Sequence, residues 1–370
     1  MSARRQFMLK VLSAAATIAL IFSGAAHSGD ETDAAFENIK ELIAAEAYEE
    51  ALDQADKLLA IEGLPDRDAA AALGQKATAN AALGRDEEAL AALGSALQLK
   101  PNDFWLLMRS CNQNLDSGFL APARQDCALA SRTLRHERKA ASSDRKRQYL
   151  DYTQARIAIR QGNTARAQAF VSRLKKQADS GALFFGAWHV DRLAAQVLQR
   201  QRRFEEAAIV LSEGIRDFEE ALVSSNENFQ RLAAAVSVED RSAMWFQFGV
   251  LMNYMDDPVE AQKAFETSFN LLPLPDNNNP PTKMLERAGY ALCATEIQLQ
   301  RAEQAINRCK WLANSVTYNT SYIAALGDAY VIAGDLTGAL QTYEDALSKD
   351  PENGYLELRR DQIKDALDLQ

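Results

Sequence analysis

The chain has 370 residues, of which 47% are hydrophobic and 25% are charged, a composition that excludes a disordered protein and a multispan membrane protein. Its formal net charge of −10 argues against nucleic acid as a partner. Because the chain is too long for one simple core and has only 17 Gly and 9 Pro, several domains or one elongated helical array are expected.

The first 28 residues predict an export signal. An apolar, Ala-rich stretch from Val11 to Ala26 is too short for a confident transmembrane helix, and small residues suited to cleavage occur up to Ser28. We therefore expect a periplasmic or secreted bacterial protein with no stable membrane span after signal removal. The basic residues before the apolar stretch are Arg4, Arg5 and Lys10.

The route of export stays open between two pathways. The run Arg4-Arg5-Gln6-Phe7-Met8 resembles the twin-arginine export signal. A general secretory signal also needs positive charge at this point, so it is the alternative. No cysteine lies near the signal, and a lipid anchor at the mature N-terminus is not expected.

After the signal, small and aromatic residues recur with a period of about 34 residues. Clear copies of the pattern start at Ala70, Ser242 and Thr320. Looser copies start at Thr32, Phe104, Gln148, Trp188 and Glu286. The last clear copy carries Leu326, Gly327, Tyr330, Gly334, Ala339, Tyr343, Ala346 and Pro351. Every copy has an alanine at position 20, namely Ala51, Ala89, Ala123, Ala167, Ala207, Ala261, Ala305 and Ala339.

This spacing resembles the tetratricopeptide repeat, or TPR. The resemblance implies an all-α, right-handed α-solenoid of about eight antiparallel helix pairs, with small residues where paired helices approach each other. The alternative is a non-repetitive, Ala-rich helical bundle without a fixed register. The tail from Tyr355 to Leu369 has apolar residues at helical spacing and is predicted to cap the last repeat.

The register divides the chain after the signal (residues 1–28) into three predicted domains. Residues 32–137 hold the N-terminal repeats, residues 138–241 hold central repeats with insertions, and residues 242–370 hold the C-terminal repeats and the capping helix. The largest insertion, Val223 to Asp240, is predicted to add a helical turn or two between units, because additions to solenoids lengthen helices or loops.

The four cysteines occupy equivalent places in this register. Cys111 and Cys293 both fall at position 8, and Cys127 and Cys309 both fall at position 24, on the opposite helix of the pair. In an exported protein, the register therefore implies two disulfide bonds, Cys111 to Cys127 and Cys293 to Cys309. The alternative is that each cysteine serves only as a small buried residue.

Sequence motifs for catalysis, metal binding or cofactor binding are missing. After the signal the chain has only His136 and His189, and it has no His-Glu-x-x-His, phosphate-binding Gly-rich loop or Gly-x-Ser-x-Gly pattern. We therefore predict no catalytic residue, no metal site and no cofactor, and a protein that is not an enzyme.

By resemblance to the tetratricopeptide family, the first helix of each unit lines an inner groove. In the central repeats the inner positions are Tyr149, Tyr152, Arg156, Arg160, His189, Arg192, Gln196 and Arg200. Because Arg binds carboxylates through two parallel hydrogen bonds and Tyr offers flat faces, we expect a protein or peptide partner with an acidic segment. The alternative is that these arginines are only solvated surface residues.

Towards the C-terminus the same inner positions become apolar and aromatic, with Phe246, Tyr254 and Tyr290. A helix or hydrophobic segment of a partner is expected to lie there, unless the Val223 to Asp240 insertion covers it.

Together these features predict a periplasmic scaffold or adaptor that mediates protein–protein interaction through its groove in an envelope-assembly or secretion complex. The alternative is a glycan- or small-ligand-binding module that uses the central Arg and Tyr residues. A stoichiometric protein partner favours the scaffold, whereas a ligand-induced thermal shift without a protein partner favours the module.

Overall fold

The computed structural model of the chain describes residues 29–136, 141–234, 236–275, 281–315 and 319–369. The predicted export signal lies outside these residues. Within them the chain forms eighteen helices and no strand, so the all-α prediction is confirmed. No helix in these ranges is both long enough and apolar enough to cross a bilayer.

Contacts between residues divide the chain into two compact units, residues 1–113 and residues 114–370. The helices of the first unit are α1 (Gly29–Ala44), α2 (Tyr48–Leu59), α3 (Asp66–Ala82), α4 (Asp86–Leu99) and most of α5 (Phe104–Asp116).

The described part of the second unit contains the end of α5 and thirteen further helices. These are α6 (Leu120–His136), α7 (Ala141–Arg160), α8 (Thr164–Asp179), α9 (Trp188–Arg200), α10 (Phe204–Leu222), α11 (Glu227–Ala234), α12 (Val238–Tyr254), α13 (Pro258–Asn270), α14 (Lys283–Gln298), α15 (Ala302–Ser315), α16 (Thr320–Ile332), α17 (Leu336–Lys349) and α18 (Gly354–Asp368).

Eight tight turns join successive helices into pairs, and each turn contains one residue in the left-handed conformation. That residue ends the first helix and lets the next backbone N–H reach back to a helical carbonyl, as from Arg85 N to Asn80 O at 2.9 Å. Four of these turn residues are glycines, which adopt this conformation without strain, and four are not glycine. They are Glu46, Gly84, Gly118, Gly162, Arg202, Asp256, Gln300 and Gly334.

The position-20 alanines confirm the repeat register. All eight are between 0% and 1% exposed, which places each at the closest approach of two paired helices. The glycines at position 8 serve the same contact. A Cβ at Gly249 would lie 2.7 Å from the ring of Phe265, and one at Gly327 would overlap the ring of Tyr343. A bundle without a register does not explain this regularity.

Two additions to the repeats lie where the sequence predicted them. The short helix α11 packs on α10, and its Ala233 is fully buried. At the C-terminus, α18 buries Leu356 and Ile363 against the last pair, which confirms the capping helix. Leu358 of the same helix is 57% exposed. The domain subdivision predicted at residues 138 and 242 stays a prediction.

The predicted disulfide between Cys293 and Cys309 is confirmed, with a Cα–Cα distance of 5.5 Å. Cys111 and Cys127 are each disulfide-bonded as well. All four cysteines belong to the described ranges and none of them is free.

Candidate functional site

A cavity of about 570 Å³ in the second unit collects most of the predicted central groove residues. We call it the central cavity. Arg200, at the end of α9, is exposed and does not line it. The predicted residues that do line it are Tyr149, Tyr152, Arg156, Arg160, His189, Arg192 and Gln196.

Two helices present these side chains because of their spacing. Helix α7 carries Tyr149, Tyr152, Arg156 and Arg160 at intervals of three or four residues, which places them along one helical face. Helix α9 carries His189, Arg192 and Gln196 at similar intervals. Side chains on facing surfaces of α7 and α9 lie close together when the helix pairs pack. The register predicted from the sequence therefore placed both sets of residues in one cavity.

An aromatic wall closes one side of the central cavity. Tyr152 makes edge-to-face contacts with Phe185 at 5.6 Å and with His189 at 6.1 Å between ring centroids. Phe184 contacts Phe185 at 5.0 Å in the same manner. Both phenylalanines lie in the connection between α8 and α9, outside the helical register, and were therefore not predicted.

The buried side chain of Gln148 holds this connection in place. Its Oε1 accepts a hydrogen bond from Phe184 N at 3.1 Å, and its Nε2 donates to Ala182 O at 2.9 Å. Since the amide is only 4% exposed and uses both its donor and its acceptor on backbone groups, the position of the aromatic wall is well determined.

The cavity arginines are paired with carboxylates from other elements. Arg156 Nη2 lies 2.5 Å from Asp116 Oδ1, and Arg192 Nη1 lies 3.1 Å from Asp240 Oδ1. Arg160 donates to the carbonyl of Leu115 at the end of α5, a favourable place for a cation. The predicted arginine patch is therefore paired with carboxylates of the protein itself, and an acidic partner stays a prediction.

Comparison with solved structures establishes the fold. A tetratricopeptide repeat protein from Parabacteroides merdae superposes with a TM-score of 0.52 at 12% identity, over 81% of this chain and 99% of that one. A Rap protein complexed with Competence and Sporulation Factor gives 0.53 at 12% identity, over 92% and 99%. A signal transduction ATPase with a tetratricopeptide repeat sensor from Pyrococcus horikoshii gives 0.59 at 10% identity, over 88% and 47%.

The chain has a tetratricopeptide-like fold. No family model and no curated sequence matches it, and at these identities the structural likeness concerns the fold alone. Three helices that begin a helix pair, α7, α9 and α12, all contribute to the central cavity.

Electrostatics in the central cavity depend on burial. The pKa of His189 is lowered to about 4, chiefly by burial and also by Arg192 while Asp240 opposes the shift, so the imidazole is neutral at pH 7. Burial also favours the neutral form of Asp240, yet Arg192 and His189 hold its pKa below the ordinary value. Glu239 has its pKa raised, by burial first and by Asp240 second.

The predicted aromatic residues of the C-terminal repeats do not line the central cavity. Tyr254 is 58% exposed and stacks on Phe204 at 4.5 Å. Phe246 contacts Phe265 at 5.4 Å, and Tyr290 contacts Tyr322 at 5.4 Å. Each of the three rings therefore contacts a different neighbour, and their role as groove residues stays a prediction.

The end of the Val223 to Asp240 insertion lines the central cavity. Ser237, Glu239 and Asp240 all belong to its lining. Ser237 Oγ caps α12 by accepting from Asp240 N at 3.0 Å, and it donates to Asp240 Oδ2 at 3.2 Å, which helps to hold the carboxylate towards Arg192.

Proposed function

We propose that this chain is an exported, periplasmic interaction scaffold that binds a segment of a partner protein in the central cavity. The observation that carries the proposal is the convergence of seven predicted groove residues from α7 and α9 on one cavity with an aromatic wall. The fold supports a protein-binding role in general, and the similar Rap structure is a complex with Competence and Sporulation Factor.

The proposed role is binding rather than catalysis. Among the described residues, no group of three or more His, Cys, Asp or Glu side chains is placed to hold a metal ion. His189, the one histidine of the cavity, has its pKa lowered to about 4 by burial and is poorly suited to act as a base near pH 7. An envelope-assembly or secretion complex is the setting we propose.

Export is the second part of the proposal. The basic and apolar N-terminal sequence supports it, and so does the Cys293 to Cys309 disulfide, because such bonds persist in oxidising compartments. The test is fractionation of cells that express the full chain, with the N-terminus of the mature protein determined by mass spectrometry. A cytoplasmic protein that retains residues 1–28 would contradict export.

The binding proposal is tested by filling the central cavity. Ala243, on α12, lines it, so Ala243→Phe is expected to lower capture of the partner from envelope extract by at least about 10-fold. The matched control is Ala128→Phe, at an exposed position of α6 outside the cavity, which leaves capture unchanged. Equal capture by both variants would mean that the partner binds elsewhere.

A glycan- or small-ligand-binding module is the second candidate function. The volume of about 570 Å³ favours it, because small-molecule sites commonly fall in this size range. A rise in melting temperature with a small ligand, abolished by Ala243→Phe in the absence of any protein partner, would support this module over the scaffold.

A further inference from the structure

The charges that line the central cavity balance one another. Three arginines face three carboxylates, and His189 is neutral at pH 7. An acidic segment therefore meets no net positive field, and at Arg156 and Arg192 it competes with carboxylates that the protein already holds there. The charged lining residues are Arg156, Arg160, Arg192, Asp116, Glu239 and Asp240.

One carboxylate is left over when the ion pairs are assigned. Asp116 contacts Arg156, and Asp240 contacts Arg192, whereas Glu239 has no cation among the described residues. Asp240 is its charged neighbour and repels it. A cation brought by a ligand can pair with Glu239 without displacing an ion pair that the protein already holds.

In the ion pair between Asp240 and Arg192, the arginine also has a hydrogen-bond donor left without an acceptor among the described residues. Arg192 uses Nη1 for Asp240, and its Nε is buried with no acceptor in the described part of the chain. An unsatisfied buried donor of this kind carries a free-energy cost, which an oxygen atom reaching the guanidinium after a small side-chain rotation would remove. A carboxylate or a peptide carbonyl supplies such an oxygen.

The aromatic wall favours the same ligand chemistry. The rings of Tyr152 and Phe185 line the cavity together with Phe184, and Arg145 already lies over the Phe184 ring at 5.2 Å. Aromatic faces attract cations and cover the apolar stems of Lys and Arg side chains. A basic residue of a peptide would thus find both a flat apolar surface and the carboxylate of Glu239 in one cavity.

We infer that the central cavity selects a peptide segment of mixed charge, in which a basic side chain pairs with Glu239 and a neighbouring carboxylate or carbonyl accepts from Arg192. This inference rests on the proposed scaffold function and names the chemistry of its partner. It replaces the acidic segment expected from the sequence, because such a segment would be repelled by Glu239 and would compete with Asp116 and Asp240.

The inference is tested with three capped peptides of equal length, one alternating Lys and Glu, one with Glu alone and one with Lys alone. Binding to the full chain is measured by isothermal titration calorimetry at low ionic strength, where surface charges are least screened. The mixed peptide is expected to bind at least about 10-fold more tightly than either single-sign peptide. Tighter or equal binding of the Glu peptide, or no binding of the mixed one, would overturn the inference.

Variants assign the preference to Glu239. Glu239→Gln keeps the size of the side chain and removes its charge, so it is expected to weaken binding of the mixed peptide by about 10-fold. Glu205→Gln, at an exposed position of α10 outside the cavity, is the matched control and leaves binding unchanged. Identical affinities for the two variants would remove Glu239 from the inference and contradict it.

Failure of the inference can be told apart from failure of the scaffold function. If the Glu peptide binds best and Ala243→Phe abolishes that binding, the cavity is a peptide site of acidic preference, and only the inference is wrong. If no peptide binds and Ala243→Phe leaves partner capture unchanged, the central cavity is not the binding site, and both proposals are wrong.

Discussion

The central repeats and the C-terminal repeat use charged and aromatic residues in opposite ways. At the C-terminus, Asp328 of α16 accepts hydrogen bonds from Tyr343 Oη at 2.7 Å, from Tyr355 Oη at 3.0 Å and from Arg359 Nε at 3.0 Å. These donors come from α17 and α18 and converge on one carboxylate. In the central repeats, the ion pairs of Arg156 and Arg192 instead border an open cavity.

The two regions differ because the helix that comes next along the chain is long in one and short in the other. After α17 a full capping helix packs on the last pair, buries Leu356 and Ile363 and supplies Tyr355 and Arg359. After α10 the chain forms only the eight-residue helix α11, and the carboxylates at the start of α12 then reach the cavity edge. Polar groups that a packed helix covers bond to that helix and stabilise the fold. Polar groups beside a short insertion stay accessible to a ligand.

The largest expected effect tests the structural role of the Asp328 cluster. Asp328→Ala removes the acceptor of two tyrosine hydroxyls and one guanidinium, so the free energy of unfolding is expected to fall by about 3 kcal/mol. Urea denaturation measures the loss, and amide hydrogen exchange should show α18 opening first. The control is Asp361→Ala, which removes an exposed carboxylate that pairs with Arg360 within α18, and it should leave stability unchanged. If Asp328→Ala and Asp361→Ala were equally stable, the Asp328 cluster would have no structural role, and this difference from the central repeats would disappear.

A smaller loss is expected from crowding the same repeat. Gly327→Ala places a Cβ against the fully buried ring of Tyr343, so the free energy of unfolding is expected to fall by about 2 kcal/mol. Gly94→Ala is the control, because a Cβ there meets no atom within 4 Å on an exposed face of α4. Its higher helix propensity should raise stability by about 0.5–1 kcal/mol. Similar losses at both glycines would remove the packing explanation.

The smallest effect distinguishes the central cavity by its response to pH. His189 is ordinarily half-protonated at pH 6.5, and burial lowers its pKa to about 4 in the folded chain. Between these values the unfolded state binds more protons, so folding stability is complete above pH 6.5 and falls as the pH decreases towards 4.

His189→Gln should remove this part of the pH dependence. Relative to its own stability at pH 7, the variant is expected to lose about 1 kcal/mol less than the wild type at pH 5.5. Thermal or urea denaturation at the two pH values measures the difference. Parallel stability curves for the two proteins would show that His189 is not buried as a neutral group.

The sequence predicted the fold well because its signals are local and periodic. The eight position-20 alanines keep the same place within each repeat, and each of the four turn glycines lies five residues before one of them, so each reports a contact within one helix pair. The other turns, at Glu46, Arg202, Asp256 and Gln300, adopt the same left-handed conformation without glycine. At these four turns the residue type does not indicate a left-handed conformation, and only the repeat register indicates where the turns lie.

The candidate site was predictable only in part. The register placed Tyr152, Arg156 and Arg192 on inner helical faces, and they meet in the central cavity. Their ion-pair partners could not be predicted, because Asp116 and Asp240 are 40 and 48 residues away from Arg156 and Arg192 in the chain. Without those carboxylates the sequence suggested a positive patch, although the cavity is balanced in charge.

Gln148 couples the aromatic wall to the packing of the helices that carry it. Its amide holds the connection that presents Phe184 and Phe185. In the same connection, Leu183 and Phe185 pack on the buried core of α7, α8 and α9. Replacement of this connection would therefore change the wall and the helix packing beneath it together, so the shape of the cavity and the stability of these repeats are linked.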